Sequence, residues 1–127
     1  MAEGILKNLD PTLEVYSAGT YPASEVNPFA IEVMKEIGID ISNQKPKNVN
    51  MFLNESFDYV ITVCDSAKES CPVFSGYVKN RLHYSFEDPA ATQGEKEKVI
   101  SVYRKVRNQI RDAFSKLYQE KFKNIRQ

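Results

Sequence analysis

The order of patterned segments along this 127-residue chain points to an α/β fold built on a small parallel sheet. Three observations carry that expectation. Tyr59 to Val63 is a short, β-branched, almost unbroken apolar run without in/out alternation, as in a parallel strand covered on both faces. Val99, Val102, Tyr103, Val106, Ile110, Ala113, Phe114 and Leu117 keep a helical period through the last third of the chain. Between them, strand-like and helix-like segments alternate, the pattern of parallel strands joined by right-handed crossovers.

Residues 2–9 read as a helix with Ile5, Leu6 and Leu9 on one side, stopped by Asp10-Pro11. Leu13 to Ser17 alternates and reads as a strand, with Ala18-Gly19-Thr20 turning away from it. Asn27 is placed to cap a helix that starts at Pro28, with Val26 and Ile31 positioned for a hydrophobic staple. Ala30, Val33, Met34 and Ile37 form its apolar stripe, and Gly38 ends it. Residues 42–50 are polar and irregular around Pro46, and Val49 to Leu53 suggests a short helix before the central strand. Ser66 to Ser70 is compatible with helix until Pro72, and Ser75-Gly76 makes a turn. Arg81 to Phe86 reads as a second, more polar strand at an edge. Thr92-x-x-Glu95 matches a capping box in front of the long final helix.

The chain is 42% hydrophobic and 27% charged, which excludes a disordered composition and suits one domain spanning residues 1–127. No segment approaches the ~20 apolar residues of a membrane span. Residues 1–13 lack an apolar stretch of signal-peptide type, so cytosolic residence is expected. Residues 94–127 carry ten Lys/Arg against four Asp/Glu. No aromatic or glycine interleaving accompanies that charge, so it reads as the wet face of a helix rather than a nucleic-acid surface.

Cys64 falls at the carboxyl end of the central strand, where open α/β sheets place their chemistry. Cys71 follows seven residues later. On one continuous helix their Cα atoms would stand about 10 Å apart, whereas a disulfide spans roughly 4.4–6.8 Å. Bridging them requires the segment to unwind. Two readings stand: a redox pair whose oxidation remodels the loop, or two unrelated buried thiols. Spacing alone favours the second. Asp88 before Pro89 reads, on its own, as a loop aspartate capping nearby amides. His83 has no cysteine or carboxylate at metal-ligand spacing and reads as a structural strand histidine; no metal and no cofactor are expected.

Tyr16-Ser17-Ala18-Gly19-Thr20, Val26-Asn27-Pro28, the run from Val33 to Ser42, Asp58 to Asp65, Glu69 to Phe74 and Phe86-Glu87-Asp88-Pro89-Ala90 occur in that order. Together they closely resemble thioredoxin-coupled arsenate reductases of the low-molecular-weight tyrosine-phosphatase fold, over nearly the whole chain. The resemblance implies three layers, with a small parallel sheet between helices. It also implies a strand and a Cys-x5-Arg phosphate loop before the helix that begins Met-Ala-Glu-Gly. Met1-Ala2-Glu3-Gly4 stands there, and the first strand and the nucleophile loop have no counterpart in these residues. An N-terminally truncated domain is therefore expected, inactive as written. In the resembled fold the missing strand is central, so a homodimer or larger assembly that covers the gap is expected.

What the resemblance implies for the site is a relay of three thiols. A loop cysteine attacks arsenate, Cys64 matches the second thiol, and Cys71 matches the third. The Cys64–Cys71 disulfide is then handed to thioredoxin. Asp88 matches the acid that serves the leaving oxygen. Glu3 and Ser17 match positions that hold a monovalent cation in some members, but Lys47 stands where those members have an aspartate, so no bound cation is expected. Two other readings stay open: a low-molecular-weight protein-tyrosine phosphatase, and a non-catalytic remnant or thiol-based binding module. The expected partners are arsenate or a phosphate-like oxyanion and thioredoxin, with neither nucleic acid nor membrane.

Overall fold

Helix α1 (Ala2–Leu9) forms where the sequence places it, with Ile5 and Leu6 buried on its inner side and Asp10 closing its last turn. The structure, a computed structural model, describes residues 1–19, 26–63, 76–87, 89 and 92–122. Described residues within Met1–Tyr16, Val26–Gln44 and Asp88–Gln127 form one unit, and those within Ser17–Glu25 and Lys45–Glu87 form a second. The architecture is α/β: helices, and a small parallel sheet.

The first unit is helical. Helix α2 (Pro28–Lys35) begins with the Asn27 side chain accepting from the Phe29 amide at 2.9 Å, and proline occupies its first turn, where a missing N–H costs nothing. Gly38 ends it at φ 79°, with the Ile39 amide reaching back to the Met34 carbonyl at 3.0 Å. That is the left-handed termination glycine permits most cheaply. Helix α3 (Lys96–Leu117) packs against both α1 and α2. Val99, Tyr103, Val106, Ile110, Phe114 and Leu117 are buried along it, and Val33, Met34 and Ile41 are buried in the same unit. Its last turn widens into a π-helical stretch, Tyr118–Phe122, in which the Tyr118 hydroxyl donates to Asp10 at 3.1 Å.

One ionic cluster joins α2 to α3. The Arg104 guanidinium grips the Glu36 carboxylate with two nitrogens at 2.7–3.0 Å. Arg107, whose side chain is 9% exposed, donates to the Val33 carbonyl and to Glu36, both at 2.8 Å. Glu36 follows the last residue of α2, where a negative charge is disfavoured by the helix dipole. The hydrogen bond from Arg104, aided by that from Arg107, reverses this and holds its carboxyl down at about 2. The folded pKa lies below the ordinary 4.5, so this stabilisation is complete above that pH and disappears as pH falls towards 2. Glu36→Gln should therefore flatten the acid limb of stability between those values. Urea midpoints measured down that range would test it, and identical acid limbs for the two proteins would refute it.

The second unit holds the sheet. Strand β1 (Phe57–Thr62) pairs in parallel with β2 (Val78–His83), in the register Tyr59 to Asn80, Ile61 to Leu82 and Thr62 to His83. A short 3-10 turn, Val49–Phe52, precedes β1, and Phe52 meets Phe57 edge-on at 6.2 Å between ring centroids. At Gly76, ahead of β2, an added Cβ would stand 2.1 Å from the Glu55 carbonyl oxygen, so only glycine fits this close approach of two backbones.

Four expectations need correction. Leu13–Ser17 forms no strand; among the described residues the pairing in that region is a single parallel bridge, Gly19 to Asn48. Alternation gives a strand only where a neighbouring backbone accepts it, and among the described residues the one β-bridge here is at Gly19. The second strand runs from Val78 to His83 rather than from Arg81 to Phe86; pairing with β1 sets its ends, and its first half, with Lys79 exposed, carries no apolar pattern that would mark it in sequence. Strand β1 is half-buried rather than covered on both faces; among the described residues β2 is its one strand neighbour. The proposed capping box is absent. Gly94, at φ 126°, turns the chain immediately before the helix, so Glu95 becomes the N-cap and makes no side-chain cap bond.

Candidate active site

The carboxyl ends of two parallel strands lie side by side in the second unit, the end at which α/β sheets collect functional groups. Their pairing continues past the strands: the Tyr84 amide donates to the Thr62 carbonyl at 2.9 Å and the Phe86 amide to the Val63 carbonyl at 3.2 Å. Above this backbone seam, Thr62 Oγ1 lies 2.6 Å from His83 Nδ1, and Ser85 Oγ lies 3.3 Å from His83 Nε2. The rings of Tyr84 and Phe86 stack at 6.0 Å with planes 9° apart. Thr62 and His83 meet because the register sets them directly opposite each other.

Cys64, Cys71 and Asp88 lie outside the described residues. The described chain runs to Val63, the residue before Cys64, and to Glu87, the residue before Asp88. Pro89, next along, is buried. Of the residues matched to a cation site, Glu3 is buried on α1 and ion-paired with Lys7 at 3.3 Å. Ser17 and Lys47 line a shallow open depression of about 180 Å³ with Ala18, Gly19 and Pro46. It is held by the Gly19 amide donating to the Lys47 carbonyl at 2.9 Å and the Val49 amide donating to the Gly19 carbonyl at 3.0 Å. Among the described residues, no group of three His, Cys, Asp or Glu side chains gathers to bind a metal.

The hydroxyl–imidazole–hydroxyl chain at the strand ends was missed in sequence. By spacing alone His83 reads as a structural strand histidine, and its partners become visible only once the parallel register is known. The one signal available is that Thr62 and His83 each fall within a strand-like run of the sequence.

The model of the low molecular weight phosphotyrosine protein phosphatase family matches residues 1–127. The chain belongs to that family. Among its relatives is the arsenate reductase of Shouchella clausii, 42% identical over 111 residues, covering 87% of this chain and 78% of that one. The arsenate reductase of Bacillus subtilis is 41% identical over the same shares of each chain. Among solved structures, an arsenate reductase in its oxidized state superposes with a TM-score of 0.77 at 30% identity, covering 94% of this chain and 86% of that one. The low molecular weight phosphatase fold accounts for the parallel pairing of β1 with β2 and for the long final helix.

Proposed function

We propose that this protein is an arsenate reductase working by a cysteine relay with thioredoxin as its reductant. The observation that carries the reading is the 42% identity over 111 residues to a protein named an arsenate reductase. The Cys64/Cys71 pair supports it, since phosphotyrosine hydrolysis in this fold needs a nucleophile and an acid but no second and third thiol.

In the relay, the thiolate of a phosphate-loop cysteine displaces an oxygen from arsenate, which leaves as water. The Cys64 thiolate attacks that sulfur; the arsenic–sulfur bond breaks with its electron pair passing to arsenic, and arsenite departs. Cys71 then attacks the Cys64 sulfur of the new disulfide and releases the loop thiol. Two thiols have become one disulfide and arsenic has gained two electrons, so arsenate and two thiols give arsenite, a disulfide and water. A dithiol reductant returns the Cys64–Cys71 disulfide to thiols. Asp88 supplies the proton for the departing oxygen.

The first thiol is not among these residues: Cys64 and Cys71 are the two cysteines, and neither has an arginine six positions on. The 127 residues by themselves are accordingly proposed to lack turnover, because the nucleophile and the amides that cradle the oxyanion come from such a loop. Cytoplasmic residence belongs to the same reading; among the described residues no helix is long and apolar enough to cross a membrane.

The test sets arsenate against an aryl phosphate. A chain carrying a Cys-x5-Arg loop ahead of Met1 should oxidise NADPH through thioredoxin and its reductase when arsenate is added. Arsenate-independent hydrolysis of the aryl phosphate, with no coupled oxidation, would instead make it a phosphatase.

A further inference from the structure

We propose that Ser85 is a nucleophilic serine with His83 as its general base, open to acylation by an activated ester such as an aryl acetate. This chemistry is separate from the cysteine relay, and neither needs the other.

A serine hydroxyl is a weak nucleophile until a base takes its proton, and that base must itself be held in place. His83 is the chain's one histidine, and both of its ring nitrogens meet hydroxyls. Nδ1 lies 2.6 Å from Thr62 Oγ1 across the sheet, a pairing that the parallel register sets. Nε2 lies 3.3 Å from Ser85 Oγ, the outer edge of hydrogen-bond reach and a looseness common in sites without substrate. In the tautomer with its proton on Nδ1, the ring donates to Thr62 and turns the Nε2 lone pair to the Ser85 hydroxyl, which donates to it. Thr62 is then a positioning residue: its oxygen favours that tautomer and fixes the ring.

Ser85 follows His83 by two residues, so in extended chain their side chains leave the same face with Cα atoms about 7 Å apart. Bonds on either side hold its main chain. The Tyr84 amide donates to the Thr62 carbonyl at 2.9 Å and the Phe86 amide to the Val63 carbonyl at 3.2 Å. The nucleophile therefore rides on anchored backbone, and Ser85 is exposed, so an ester can reach it.

As Ser85 Oγ bonds to the ester carbonyl carbon, its proton passes to Nε2. The bond from that carbon to the aryl oxygen then breaks, and the departing oxygen keeps the electron pair and takes the proton back from the imidazolium. Serine and aryl ester become acyl-serine and a phenol, with nothing oxidised or reduced. A carboxylate on Nδ1 would stabilise the imidazolium, whereas a threonine hydroxyl only orients the ring. The gain expected is therefore the lower end of general-base catalysis, about 10²-fold.

The experiment treats the 127-residue protein with p-nitrophenyl acetate and follows acetylation site by site by mass spectrometry. Ser101, exposed on α3, is the reference within the same molecule. Ser85 should acetylate roughly 10²-fold faster than Ser101. His83→Gln, which keeps a polar side chain but supplies no base, should bring Ser85 down to the reference rate. Thr62→Val should lose most of the advantage and Thr62→Ser, which restores the hydroxyl, should keep it. Ser85 reacting no faster than Ser101 in the unsubstituted protein would overturn the proposal, whether or not any variant folds. A Ser85 rate left unchanged by His83→Gln would overturn it as well, and an unchanged rate in Thr62→Val would contradict the tautomer on which the base depends.

Discussion

Cys71→Ser, in a chain that carries the phosphate loop, should release one arsenite per molecule and then stop. In the proposed relay, the loop thiol and Cys64 complete the two-electron transfer without Cys71. Their disulfide has no internal thiol left to resolve it, so steady-state turnover should fall by ~10³-fold or more, the scale on which losing an essential nucleophile acts. Quenched-flow arsenite counts would show a burst of one equivalent followed by a flat line. Cys64→Ser should show neither burst nor turnover, since no sulfur then attacks the arsenic–sulfur adduct. Normal turnover in Cys71→Ser would move the protein towards phosphatase chemistry, in which a third thiol has no task.

Phe114→Ala should be the most damaging single change in the helical unit. Phe114 is 1% exposed, on the helix that packs against both α1 and α2. Truncating such a ring loses its transfer free energy and leaves a cavity, together costing about 3–5 kcal/mol. A domain is held by only ~5–15 kcal/mol, so this is a large share of the total. With a urea dependence of about 1–3 kcal/mol/M, the midpoint should fall by at least ~1 M. Lys116→Ala, two residues away on the exposed side of the same helix, should change stability by no more than ~0.5 kcal/mol. Similar losses in the two variants would mean that α3 is not packed as described.

The helices were legible in the sequence because their information is local. Val33 and Met34 in α2, and Val99, Val106, Ile110 and Phe114 in α3, recur at helical spacing, and each is buried. Asn27-Pro28 and Gly38 mark ends whose geometry depends on one or two residues, and both ends lie where those residues placed them. The sheet was less legible because strands depend on partners distant in sequence. Leu13–Ser17 has the alternation of a strand but no ladder to join among the described residues, and β2 begins in a polar stretch that pairing with β1 makes extended. Arg107 escaped notice for a related reason. Within a basic third of the chain it looks like another solvated cation, and the Val33 carbonyl and Glu36 that draw it inward lie more than seventy residues earlier. The proposed roles of Cys64, Cys71 and Asp88 come from family resemblance, whereas the contact of Thr62 with His83 needs the register.

The reductase account turns on where the two electrons leave the protein. The direct measurement is disulfide mapping by mass spectrometry after a single turnover with arsenate, in a chain carrying the Cys-x5-Arg loop and with no reductant present. The account predicts one arsenite released per chain and a Cys64–Cys71 disulfide, which thioredoxin then returns to thiols. Arsenite released with Cys64 and Cys71 still reduced, or no arsenite at all from a folded chain that hydrolyses an aryl phosphate, would contradict it.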